Sequence, residues 1–171
     1  MKKSLKLLRV ACRNASMQDE FNGIVENTST PDGVEVQWGF RRIPLSRGRH
    51  HGGYVCAFRG QPLVRVESNL ERTVVKALAA DPACTLVATQ PLTLWWQWKG
   101  VRRRYTPDIL VAFDAVPDAW KAMGLERLSV VEVKPPRVEV AAELEAEHAR
   151  VIHAALGMPL VRLPRLKEAQ S

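Results

Sequence analysis

With 171 residues, 46% hydrophobic and 25% charged, the chain is one domain's worth of protein, able to bury a core without disulfide or metal staples. A net charge of +7 and a pI near 9.7 favour a polyanionic partner, the plainer alternative being that many soluble proteins are simply basic. Three scattered cysteines without a CxxC pair argue against a disulfide framework or zinc cluster, and no run approaches the roughly 18 apolar residues of a membrane span.

The opening MKKSLKLLRVACRN is basic, but Arg9 and Arg13 break its apolar run too early for a signal peptide. A soluble protein of a reducing cytoplasm is expected. The charge is uneven: residues 1–66 hold 11 Lys/Arg against 5 Asp/Glu, residues 67–136 hold 9 against 8, and residues 137–171 hold 5 against 5. This basic lead-in suits an arm that grips nucleic acid.

Residues 1–35 are weakly patterned and include the turn-forming Pro31-Asp32-Gly33; they read as an arm of uncertain order or a small hairpin. From residue 36 the folded domain begins, with its core from about residue 66. Val34, Val36 and Trp38 alternate as one face of a strand, and SRGRHHGGY follows with Arg47 and Arg49 among glycines. Short strands are expected at Tyr54–Phe58 and Leu63–Val66. A helix then starts at Ser68, where Ser68 and Glu71 fit a capping box, and ends at Asp81-Pro82. At 100° per residue Leu70, Val74, Ala77 and Leu78 share a face, and Glu71 falls on the buried side among apolar residues.

Strands are expected at Thr85–Thr89, Leu92–Trp98 and, after the Lys99-Gly100 turn, Val101–Tyr105. Pro107 interrupts before an apolar strand at Ile109–Phe113. A loop with a helical turn near Trp120 leads to a strand at Leu128–Lys134. The longest amphipathic helix, Glu139–Leu156, presents Leu144, Val151, Ile152 and Ala155 inward and ends at Gly157. A last strand at Leu160–Leu163 follows, and the helix between it and the preceding strand implies a parallel pair. Condensed, the order from Ser68 is helix, three strands, helix, strand: an α/β chain with a mixed sheet flanked by helices.

Four residues carry the chemistry. In VVEVKP, Glu132 and Lys134 lie two apart on a strand and project to one face, while Val131 and Val133 project to the other. Asp108, in YTPDILV on another strand, can meet them there, and Glu71 approaches from the first helix. Carboxylates so placed can hold a divalent cation, with the lysine beside an attacking water. Taken separately, each has a plainer explanation. Glu71 can serve only the helix cap, binding the Ser68 amide, and an ExK pair is common on exposed strand edges. Arg41, Arg42, Arg47, Arg49, Arg102, Arg103 and Arg104 are candidate phosphate contacts or simply solvated surface. Among the tryptophans, Trp96 and Trp98 share a face and Trp95 takes the other, so core packing is expected ahead of base stacking. His50, His51 and Cys56 lack a fourth metal ligand, and His148 and His153 read as structural.

The element order is similar to the αβββαβ core of the restriction-endonuclease-like PD-(D/E)xK superfamily, with Pro107-Asp108 and Glu132-Val133-Lys134 as the two parts of its motif. More narrowly, ESNLER, QPLTL, RRYTPDILV and VEVKP, in that order, resemble the TnsA endonucleases of heteromeric transposons, as does SRGRHHGGYVCAFRG before them. The likeness covers about residues 40–136. It implies a Mg²⁺-dependent endonuclease (Mn²⁺ substituting) with Glu71, Asp108 and Glu132 toward the metal and Lys134 as the catalytic lysine. Some members carry glutamine where Glu132 stands. It further implies cleavage at the 5′ side of transposon ends in double-stranded DNA, in the bacterial cytoplasm at the nucleoid. The implied partners are a TnsB-like transposase, which processes the 3′ ends, and a TnsC-like ATPase. Better-known members meet that ATPase through a C-terminal domain resembling a winged helix, and no such domain is expected within these residues. The alternatives are a restriction or repair nuclease on the same core, and a non-catalytic DNA-binding or assembly module.

Overall fold

The computed structural model describes residues 26–30, 32–39, 52–59, 63–135 and 138–164. In chain order these form β1 (Glu26–Ser29), β2 (Glu35–Trp38), β3 (Gly53–Val55), β4 (Val64–Val66), α1 (Asn69–Ala79), β5 (Cys84–Thr89), β6 (Leu92–Trp98), β7 (Val101–Tyr105), β8 (Ile109–Phe113), α2 (Asp118–Ala122), β9 (Leu128–Val133), α3 (Ala142–Leu156) and β10 (Leu160–Leu163). The class is mixed α/β.

Two four-stranded sheets carry the fold, ordered β1-β2-β6-β7 and β10-β9-β8-β5, beside the small β3–β4 hairpin. Every pair is antiparallel except β9 with β10, whose register sets Leu160 against Val130 and Leu163 against Val133. That parallel pair needs a crossover, and α3 supplies it. Strands β1 and β2 pair as a hairpin, Ser29 against Glu35, with Gly33 at φ +73°; residues 1–25 of the expected arm lie outside the described residues. Lys99 and Gly100 both take positive φ, at 51° and 75°, as a tight turn between strands of right-handed twist requires.

Between the two long helices the structure has the five expected strand segments, not the three of the condensed order. All five form, but only β5, β8 and β9 share a sheet, because β6 pairs with β2 and β7 with β6 in the other sheet. Within the sheet that holds β8 and β9, the order is α1, then β5, β8 and β9, then α3 and β10. Two shorter expectations also shrink: Tyr54–Phe58 forms a strand only over Gly53–Val55, and the last helix starts at Ala142 rather than Glu139.

All five residues of β8 are buried, since both faces of this sheet are covered. Ile109, Val111 and Phe113 pack with Val74, Val75 and Leu78 of α1 and with Val131 and Val133 of β9. Leu110 and Val130 point the other way, onto Val151 and Ile152 of α3 and onto Trp38, Leu92, Leu94 and Trp96 of the second sheet. The second sheet and α3 thus lie on one side, α1 on the other. Burial at this scale, about 1.5–3 kcal/mol per large apolar side chain, is what holds the layers together.

Candidate active site

The β8–β9 register ends with Ile109 opposite Val131; one step further, Asp108 stands across from Glu132. The pleat directs both toward the side that holds Leu110 and Val130. Asp108 Oδ2 accepts the Val133 backbone amide at 2.7 Å, which pins the carboxylate to the strand beside Glu132. Lys134 leaves the end of β9, its amide donating to Leu163 O at 3.1 Å, and its Nζ lies 2.7 Å from Glu132 Oε1. The other Glu132 oxygen, Oε2, accepts from the Tyr105 hydroxyl.

Glu71 arrives from the opposite layer, in the first turn of α1, and is only 6% exposed. Its backbone amide donates to Ser68 Oγ at 3.1 Å, as expected of a capping box. The return bond differs from expectation: Oε2 takes the amide of Glu67 at 2.8 Å, one residue before the cap, and Oε1 takes the Ser68 hydroxyl at 3.1 Å. Both oxygens are therefore occupied at the helix start.

The electrostatics tie these groups into one set. Burial, then the charge of Glu132, pushes the Asp108 carboxyl up to about 7, with Glu71 adding in the same sense and the Val133 amide and Lys134 opposing. Glu71 is raised as well, chiefly by burial and against its hydrogen bonds to Glu67 and Ser68. Burial pulls Lys134 down, but the Glu132 hydrogen bond and the charges of Glu132, Asp108 and Glu71 outweigh it and hold the ammonium protonated. Tyr105 is raised well above 10 by burial and then by Glu132, so its hydroxyl remains a donor. Three carboxyl groups crowded around one lysine resist full ionisation, and a cation among them would favour their charged forms.

The donor set, hard oxygens throughout, suits Mg²⁺. Among the described residues, no group of three or more His, Cys, Asp or Glu side chains is arranged to hold a metal ion. Glu71 is folded back on its cap, so the pair Asp108 and Glu132 are the candidate ligands. One or two carboxylates are a usual protein contribution to a Mg²⁺ site, with waters and phosphate completing the shell.

Arg102, Arg103 and Arg104 are exposed on β7. Arg102 and Arg104 lie over Trp95, at 4.9 and 5.6 Å from the ring centroid, and Arg102 also bonds Glu35 at 2.9 Å. Arg103 lies 5.4 Å over Trp98 and Lys99 4.9 Å over the same ring. Trp96 is buried and Trp98 packs against the core, whereas Trp95 sits half-buried on the other face and donates to Gln37 Oε1 at 2.9 Å. Arg41, Arg42, Arg47, Arg49, His50 and His51 fall outside the described residues. Cys56 is exposed and Cys84 buried, both free thiols.

Two neighbours of the site escaped sequence reasoning. Tyr105 is one; its signal was a hydroxyl-bearing aromatic ending a strand three residues before Asp108, a buried polar tip that must find a partner. Gln90 is the other: 3% exposed, at φ +46°, its amide donating to Asp108 O at 2.9 Å and its Oε1 buried without a partner. A positive φ at a non-glycine residue costs of order 1–3 kcal/mol, and nothing in the residue types announces it. No protein-family model, no curated protein and no solved structure matches the chain.

Proposed function

We propose that the chain is a Mg²⁺-dependent DNA endonuclease of the TnsA type, built on a restriction-endonuclease-like core and working beside a TnsB-like transposase at transposon ends. The observation that carries the reading is the charged row at the end of β8 and β9: Asp108 across from Glu132, with Lys134 bonded to Glu132 and Glu71 electrostatically coupled from α1. The order α1, β5, β8, β9, α3, β10 in that sheet supports it, as does the net charge of +7.

In this reading Asp108 and Glu132 would hold the cation, which would supply Lewis acidity toward a water and the scissile phosphate. Asp108 offers the oxygen not bound to the Val133 amide. Lys134, kept protonated, gives one of its three donors to Glu132 and would have two left for a water or a phosphate. Glu71 acts from a distance, adding negative charge behind the ligands. The exposed arginines of β7 position the duplex through its phosphates and carry no sequence preference.

The test is Mn²⁺ binding by calorimetry, followed by cleavage of transposon-end DNA with a transposase present. The parent should bind and cut, and Asp108→Ala should lose both while keeping its DNA affinity. One observation favours a second reading, a non-catalytic DNA-binding or assembly module: both Glu132 oxygens and both Glu71 oxygens are already engaged by protein donors. Absence of Mn²⁺ binding in the parent, with DNA present, would decide for that module.

A further inference from the structure

Tyr105 closes β7 with its ring buried, 8% exposed, and donates its hydroxyl to Glu132 Oε2. The ring is held from α3: His148 stacks on it with centroids 4.0 Å apart and planes 14° from parallel. Trp96 of β6 meets His148 edge-on, at 6.0 Å and 82°. The Trp96 indole in turn donates to Glu147 Oε1 at 2.8 Å, and Arg150 grips both Glu147 oxygens at 2.8 Å. An unbroken line of contacts therefore runs from the buried face of α3 to one carboxylate of the charged row.

We propose that Tyr105 is a positioning residue for Glu132, its hydroxyl and the His148 stack together fixing the carboxylate in the orientation that meets a divalent cation. The inference rests on the metal-dependent reading above and adds to it how the ligand is aimed. Lys134 alone secures only Oε1, and a carboxylate held at one oxygen can still swing about that bond. A second hold at Oε2 stops the swing. Each carboxylate oxygen has two lone-pair sites, so the Tyr105 bond leaves one on Oε2 for a cation. A ligand ordered before binding spares the entropy of ordering it during binding. It also gives a role to Glu147 and His148, polar groups beside an apolar layer.

The experiment measures Mn²⁺ affinity by calorimetry on the full chain for the parent, Tyr105→Phe, Glu132→Gln and the double variant. Tyr105→Phe keeps the ring and its stack, and should unfold cooperatively near the parent temperature while binding Mn²⁺ about tenfold or more weakly, as loss of a group that orients a metal ligand typically does. On the Glu132→Gln background the same change should cost nothing further, because the hydroxyl acts only through that carboxylate. His148→Ala is an independent arm: the hydroxyl remains, the stack is gone, and affinity should fall several-fold. Parental affinity in Tyr105→Phe, or losses that simply add in the double variant, would overturn the positioning role and leave the nuclease reading standing. No Mn²⁺ binding in the parent would overturn both.

Discussion

At Asp108, burial first and then the facing Glu132 charge carry the carboxyl from its ordinary 3.8 to about 7. The folded protein consequently holds a proton there between about pH 4 and 7 that the unfolded chain releases. Stability falls as pH rises through that window, and the whole penalty is present above the folded value. At about 1.4 kcal/mol per unit, its upper bound is roughly 4 kcal/mol. Asp108→Asn keeps an oxygen for the Val133 amide and removes the charge. In metal-free buffer it should melt above the parent at pH 8, with the gap closing toward pH 4. A gap that ignores pH across melting curves from pH 4 to 8 would show that Asp108 is not strained by its neighbours. Added Mg²⁺ should raise the melting temperature of the parent only, since a ligand that binds the native state alone stabilises it.

At the level of the element, α1 does two tasks with one turn. Ser68 caps the helix through the Glu71 amide, and its hydroxyl holds the Glu71 carboxylate on the buried side. Ser68→Ala should cost about 1 kcal/mol, read as a lower urea midpoint at unchanged slope, because the cap bond is lost. No loss of stability would mean that water replaces the hydroxyl at that helix start. The α3 crossover is equally double in purpose. Val151 and Ile152 bury its apolar stripe, and Glu147 and His148 on the same helix reach toward Trp96 and Tyr105. Of the stripe expected from spacing, Val151, Ile152 and Ala155 join the core while Leu144 stays half-buried outside it; Glu147 and His148 were not readable, since their partners lie on distant strands.

For the molecule as a whole, the net charge of +7 gives the proposed DNA binding a test. Affinity should fall steeply with salt, and each arginine that contacts a phosphate contributes about 0.9 to the slope of log affinity against log salt. Replacing Arg102, Arg103 and Arg104 together with alanine should lower that slope by roughly 2–3 and weaken unrelated duplexes alike. An unchanged slope in a filter-binding or fluorescence titration would place the phosphate contacts elsewhere on the chain. These arginines lie on both faces of β7, with rings beneath all three, so the variant also tests whether stacking on Trp95 and Trp98 or phosphate holds them.

Spacing alone was enough for the α/β class, the strands of Ile109–Phe113 and Leu160–Leu163, the turn at Lys99-Gly100, the parallel end of the sheet and the shared direction of Glu132 and Lys134. These follow from periods of two and 3.6 and from turn chemistry, which act over a few residues. Only the tertiary structure decided that β6 and β7 lie outside the central sheet and that Tyr105 reaches Glu132. Which strands become neighbours depends on how two apolar layers close over a shared sheet, and a buried hydroxyl or carboxylate takes whatever partner that closure delivers. Neither is encoded in the local run of side chains.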